Sequence, residues 1–278
     1  MPSRILLIPI LLLLGLAAYF TFMVDEDYAI YMLAPIIIGA VVFIMSPQID
    51  WYWFEKNPPK LDPMEKKLLI KKVKIFQNLS IEEKKRLESR VALFNFSKSY
   101  QEMAMPNVPE DLKIMTAITA CQLTLGFEEY LLESYEKVIV YPHPFPSPQY
   151  PENFHICESF EEDGVLLFEV KNFLHGFIKP KQYFNIALYE ISRVVNRELE
   201  LKELPSLSTL SLNDLLALSG TNEEDLKKYI GLPELDSKAI AVVQFIENPA
   251  RMHKTYPALF EEIQSMLNYK KEWFEGIV

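Results

Sequence analysis

Cysteine and histidine are scarce in this 278-residue chain, with two of the first and four of the second. Cys121, inside the helical run MTAITACQLTL, and Cys157 read as buried apolar residues, and they do not discriminate one redox compartment from another. None of His143, His155, His175 and His253 stands four residues from another ligand on a helix, which excludes the usual two-histidine helical metal site. His155 and Cys157 could face one side of a strand, but two residues do not make a zinc centre, so surface or core roles are expected for them. Positive charge is also short: 28 basic against 38 acidic residues leave a net charge of −10. With no basic stripe interleaved with aromatics, a nucleic-acid partner is excluded. There is no internal repeat, no low-complexity tract and no interdomain linker in the C-terminal two thirds.

What is abundant is apolar sequence, at half of all residues. Residues Ile5 to Val24 carry no charge, and neither do Tyr28 to Ile49. Each run is long enough to cross a hydrocarbon layer of about 30 Å as helix. Only Asp25, Glu26 and Asp27 separate them, so residues 1–50 read as a transmembrane hairpin with spans of about 5–24 and 28–46. Arg4 precedes the first span, and Lys56, Lys60, Lys66, Lys67, Lys71, Lys72 and Lys74 follow the second. The positive-inside rule therefore puts both ends, and everything after them, in the cytoplasm of a multi-pass protein of the cell membrane. Trp51, Tyr52 and Trp53 would form an aromatic belt at headgroup level. The lipid bilayer is thus the first expected partner, and the lysines read either as meeting anionic headgroups or as a solvated linker face. The competing reading is a cleaved signal peptide, with Leu16-Ala17-Ala18 as a weak small-residue site, followed by a single anchor that would place the large domain outside.

Residues 51–61, broken by Asn57-Pro58-Pro59 and followed by Asp62-Pro63, read as a juxtamembrane linker, and residues 62–278 as one soluble domain. Ser80 with Glu83 is a capping-box start, and Leu87, Val91 and Phe94 continue at helical spacing. A second helix begins near Pro109 and stops at Gly126. Lys137 to Tyr141 and Val165 to Val170 read as strands. Pro142, Pro144, Pro146, Pro148 and Pro151 fall between them, making the connection a stiff loop and not a tight hairpin. Helices are expected at about Tyr183 to Glu200, Ser211 to Leu218, Asn222 to Ile230, Glu234 to Glu247 and Tyr256 to Lys270. The pattern is α+β, mainly helical with a small sheet.

Within the first of these helices Phe184 to Arg193 read FNIALYEISR. This has the frame of His-Glu-x-x-His, in which an i, i+4 pair on one helix face converges on a metal ion, with Tyr189 and Arg193 where the histidines would stand. Phenol is a poor zinc ligand unless deprotonated, and a guanidinium has no lone pair to offer.

The flanks resemble the Mlc titration factor A family of zinc-dependent peptidases, from roughly Phe76 to the C-terminal helix. The likeness is carried by ACQLTLG followed by VIVYP, by Cys157-Glu158-Ser159-Phe160 with Gly164 and VLLFEV, by Asn185 and Glu190 in the motif helix, and by Tyr229, Asp236 and Phe245-Ile246-Glu247-Asn248-Pro249 downstream. The resemblance implies a zincin-like fold. It also implies roles: Glu190 as the base, Tyr229 as the oxyanion donor, and Tyr189, Arg193 and Asp236 at the three ligand positions. Both histidine positions are replaced, so no cofactor is expected, with zinc returning only if the site is active in altered form.

Two readings of Tyr189 and Arg193 follow. Either the guanidinium occupies the place of the lost cation and pairs with Glu190 or Asp236, or both are ordinary residues on a helix whose catalytic role has decayed. The leading functional expectation is a membrane-anchored, catalytically inactive relative that binds a protein or peptide in the old cleft. By resemblance that partner is a transcriptional regulator. An active peptidase using Tyr189 as phenolate beside Asp236, and a structural membrane-assembly protein, are the alternatives.

Overall fold

The computed structural model describes residues 2–147, 150–151 and 153–278, so Pro148 of the proline-rich connection lies outside the described residues. It divides into two compact units, Met1–Pro59 and Lys60–Val278.

In the first unit, α1 (Pro2–Met23) runs to an acidic turn in which the Asp25 carboxylate accepts the Asp27 N–H. A 3₁₀ segment, Glu26–Met32, leads into α2 (Leu33–Ile44). Two stretches, Pro2–Met23 and Glu26–Ile44, are long and apolar enough to cross a membrane, and no residue in the apolar window of either is buried. They fold back on each other as a hairpin. A Cβ on Gly39 would touch the Ile10 side chain at 3.4 Å, and the Phe20 and Tyr28 rings lie 5.6 Å apart at the turn. The second run is not one helix to its end: it breaks at Met45 and resumes as α3 (Ser46–Lys56). Residues 51–56, assigned to a linker from their position, are therefore helical. Asp50 on α3 accepts both the backbone N–H and the hydroxyl of Ser3, each at 2.8 Å, and so closes the open end of the hairpin.

The second unit opens with α4 (Pro63–Lys72), started by an Asp62–Glu65 capping box with Pro63 in its first turn. Next comes α5 (Ile81–Ser97), where Ser80 Oγ accepts the Glu83 N–H and Glu83 caps in return. Strand β1 (Ser99–Glu102) follows, then α6 (Glu110–Leu123), buried from Ile114 through Leu123, and β2 (Lys137–Tyr141). A two-residue pair, β3 (Phe145–Pro146) and β4 (Phe154–His155), occupies the proline-rich connection. Strands β5 (Cys157–Phe160) and β6 (Val165–Glu169) complete a four-stranded sheet of order β1-β2-β6-β5. Its first three strands are parallel and β5 is antiparallel. Strand β6 sits inside this sheet with all five residues buried, which is why its sequence is a continuous apolar run and not an alternation.

Helix α7 (Val170–Ile178) was not anticipated. The chain leaves β6 without a break because the Glu169 carboxylate accepts the N–H groups of Lys171 and Asn172 and caps the new helix at once. After it come α8 (Ile186–Glu198), the short α9 (Leu212–Leu216), α10 (Glu223–Ile230), α11 (Ser237–Glu247), α12 (Pro249–Thr255) and α13 (Pro257–Met266). Gly231 ends α10 at φ 90°, a left-handed cap that suits glycine, and a Cβ there would lie 2.0 Å from the Phe154 carbonyl oxygen. Helix α8 is the centre of the domain, packed by α6, α7, α11 and β5. The approach of α7 to the entry of α8 needs Gly176, where a Cβ would stand 2.3 Å from the Phe184 carbonyl oxygen.

Candidate functional site: a guanidinium clamp on the central helix

Asn185 starts α8 as its N-cap, its side-chain oxygen accepting the Leu188 N–H at 3.1 Å. Its amide donates to Glu247 Oε1 at 2.9 Å and so ties the start of α8 to the end of α11. The helix is buried almost all round, from Ile186 to Ser192 and again at Val194 and Val195. Glu190 is thus carried into the core with no exposed surface. A carboxylate there requires partners.

Arg193 supplies the first of them: its Nη1 lies 3.0 Å from each Glu190 oxygen. The spacing is i, i+3, so one turn of one helix holds both charges. Ser159 on β5 donates to Glu190 Oε1 at 2.6 Å, and Arg197 donates in turn to the Ser159 hydroxyl. The thiol of Cys157 is held above its ordinary range by burial and then by the Glu190 charge beside it. Arg193 also faces Asp236, its Nε 4.0 Å from Oδ2. Burial pulls the guanidinium pKa down, but the attraction of Glu190 outweighs it and holds the cation above its usual value. Glu190, Arg193 and Asp236 therefore form one charge cluster, with Arg193 between two acids.

Tyr189 is fully buried and belongs to the same group by a different bond: its hydroxyl oxygen accepts the Asp236 backbone N–H at 3.0 Å. Asp236 itself caps α11, accepting the Ala239 N–H at 2.9 Å. Burial pushes the Tyr189 hydroxyl well above the ordinary phenol range, so its phenolate form is disfavoured. Tyr229 lies in another hydrogen-bonded group, donating to Asn172 Oδ1 at 2.9 Å, with its own pKa pushed up to about 12 by burial. It lines a cleft of about 430 Å³ with Asn185, Gln244 and Glu247. Sequence reasoning brought together Glu190, Arg193 and Asp236. It named Ser159 only within a family motif and reached neither its bond to Glu190 nor Arg197, because their approach depends on β5 lying against α8.

This donor set does not fit zinc. Of the three positions that the resemblance assigns to ligands, one is a cation already spent on Glu190, another is a buried phenol accepting a backbone N–H, and the third is a capping carboxylate facing that cation. Among the described residues no three His, Cys, Asp or Glu side chains converge as metal ligands. His155 is buried on β4, its Nε2 3.5 Å from the Tyr150 carbonyl.

The family profile of the glucose-regulated metallopeptidases M90 matches residues 51–198, just over half of the chain, from the aromatic segment of α3 to the last residue of α8. The chain belongs to the M90 family. The match contains β5, β6 and the whole motif helix with Tyr189, Glu190 and Arg193, and it stops before Tyr229 and Asp236. No curated protein matches the chain. Family membership carries a metallopeptidase-like fold, within which this helix holds the Glu190–Arg193 ion pair.

Proposed function

We propose that this chain is a membrane-anchored M90 protein that has given up peptidase chemistry and binds a protein or peptide partner at the cytoplasmic face. The observation that carries the reading is the position of Arg193, whose guanidinium nitrogen lies 3.0 Å from both oxygens of the carboxylate that would serve as base. A base so paired is not free to take a proton from water, and a metal ion brought to the same place would be repelled by the guanidinium. The active alternative requires Tyr189 as phenolate, which its burial opposes. Anchoring is supported by the two apolar helices of the first unit, and the cytoplasmic placement by the lysines that follow them. A transcriptional regulator is the partner class the family resemblance suggests.

Zinc analysis of the purified chain after loading and dialysis tests the reading. The wild type is expected to hold no stoichiometric zinc, and the double variant Tyr189→His/Arg193→His to gain it with Asp236 as third ligand. Stoichiometric zinc in the wild type that is lost in Asp236→Ala would overturn the proposal.

A further inference from the structure

The soluble unit carries a basic face built from two segments far apart in sequence. Residues 60–74 hold six lysines against Asp62 and Glu65, and residues 171–181 hold three lysines and no acid, in a chain whose net charge is −10. The fold joins them at the ends of α4 and α7. Lys72 Nζ donates to the carbonyls of Phe177 and Ile178, each at 2.7 Å, satisfying the last turn of α7. Lys74 is held at the end of α11, donating to the Glu247 carbonyl. These two lysines act as struts, and burial lowers the pKa of each. Glu247 is the acid that faces both struts, ion-paired with Lys74 at 3.5 Å, while Lys71 and Lys181 lie close enough to depress Lys72 and Lys74 respectively.

Around the struts, Lys67, Lys71, Lys179 and Lys181 remain exposed, with no ion pair to any described acid. Lys67 and Lys71, four residues apart, share one side of α4. Between Lys179 and its surroundings two apolar side chains stand out: Ile178, 48% exposed, and Tyr183, 36% exposed and packed on His175 with ring centroids 4.7 Å apart. Lysines around a few projecting apolar and aromatic tips is the composition of a surface that sits at a lipid headgroup layer.

We propose that this face docks on the anionic phospholipid headgroups of the bilayer that anchors the chain. The occupant follows from charge complementarity and tether length. The face is cationic on an otherwise acidic protein, and only Asn57, Pro58 and Pro59 separate the last helical residue of the anchor unit from Lys60. The proposal rests on the membrane-anchored reading. Docking holds the domain flat on the membrane and restricts which partners can approach it.

The test uses the full chain in nanodiscs of phosphatidylcholine alone and of phosphatidylcholine with phosphatidylglycerol, comparing amide hydrogen exchange in residues 63–74 and 171–183. Slower exchange in the anionic discs, reversed by high salt, is the expected result. At about a fivefold factor per lysine, Lys71→Gln/Lys179→Gln/Lys181→Gln lowers the docking equilibrium by on the order of a hundredfold and removes the difference. Equal exchange in both lipids with the chain incorporated overturns the docking face alone. Failure to incorporate in either disc overturns the anchor and the docking together.

Discussion

Arg193→Met removes the positive charge and keeps most of the aliphatic stem, so it isolates what the guanidinium does for Glu190. Unit charges about 4 Å apart attract by roughly 4 kcal/mol at an effective dielectric near 20. Solvent reaches part of the pair, since the Arg193 side chain is 27% exposed, but Glu190 has no exposed surface and keeps the Ser159 hydroxyl and the neighbouring Cys157 thiol as its donors. Leaving one member of a buried pair uncompensated costs about 3–5 kcal/mol, and the partial exposure of Arg193 reduces the expectation to about 2–3 kcal/mol. The double variant Glu190→Gln/Arg193→Met removes both charges and leaves an amide oxygen to accept from Ser159, so it should return to within about 1 kcal/mol of wild type. Urea unfolding of the detergent-solubilised chain, followed by far-UV circular dichroism, measures all three. A cost below about 1 kcal/mol for the single variant, or a double variant no more stable than the single, would show that Arg193 is not the counter-charge of Glu190.

Ser159→Ala deletes the second donor to Glu190 and the acceptor of Arg197, with an expected cost of about 1–3 kcal/mol in the same unfolding assay, and one that is not additive with Arg193→Met. Gly176→Ala forces a Cβ to within 2.3 Å of the Phe184 carbonyl oxygen, pushing α7 from the entry of α8; a loss of about 1–3 kcal/mol should appear as a lowered Tm. Lys98, whose Nζ donates to the Leu132 carbonyl, is pushed down by burial from 10.5 to about 8. Between those values the unfolded chain binds more protons than the folded one. Stability should therefore rise with pH across that interval, by up to about 3 kcal/mol relative to Lys98→Met. Parallel pH profiles for the two proteins would refute the assignment.

Much of the fold was legible because its signals are local. Ser80 and Glu83 announce α5 through a reciprocal cap that needs nothing beyond one turn, and the strand Lys137–Tyr141 appears where its apolar run and terminal prolines put it. The errors fall where a local signal was shared by two elements. Val165 to Val170 read as one strand, yet Glu169 is both its last residue and the cap of α7, so a helix was hidden behind an apolar run. Likewise Ser46 to Lys56 continues as helix after the apolar span because Pro47 in its first turn begins a helix as readily as it ends one.

The site divides along the same line. Glu190 and Arg193 are one turn apart, so their pairing follows from helix geometry once the two residue types are read, and Asp236 was within reach through the family offsets. Ser159 and Arg197 were not, because they meet Glu190 only after β5 has paired antiparallel with β6 and been laid against α8. That long-range contact also sets the surroundings of Arg193. Arg193 gives one nitrogen to both oxygens of a fully buried acid, and a second arginine supports that acid through Ser159. A carboxyl group with no exposed surface requires donors around it, and Arg193, Ser159 and, through Ser159, Arg197 supply them.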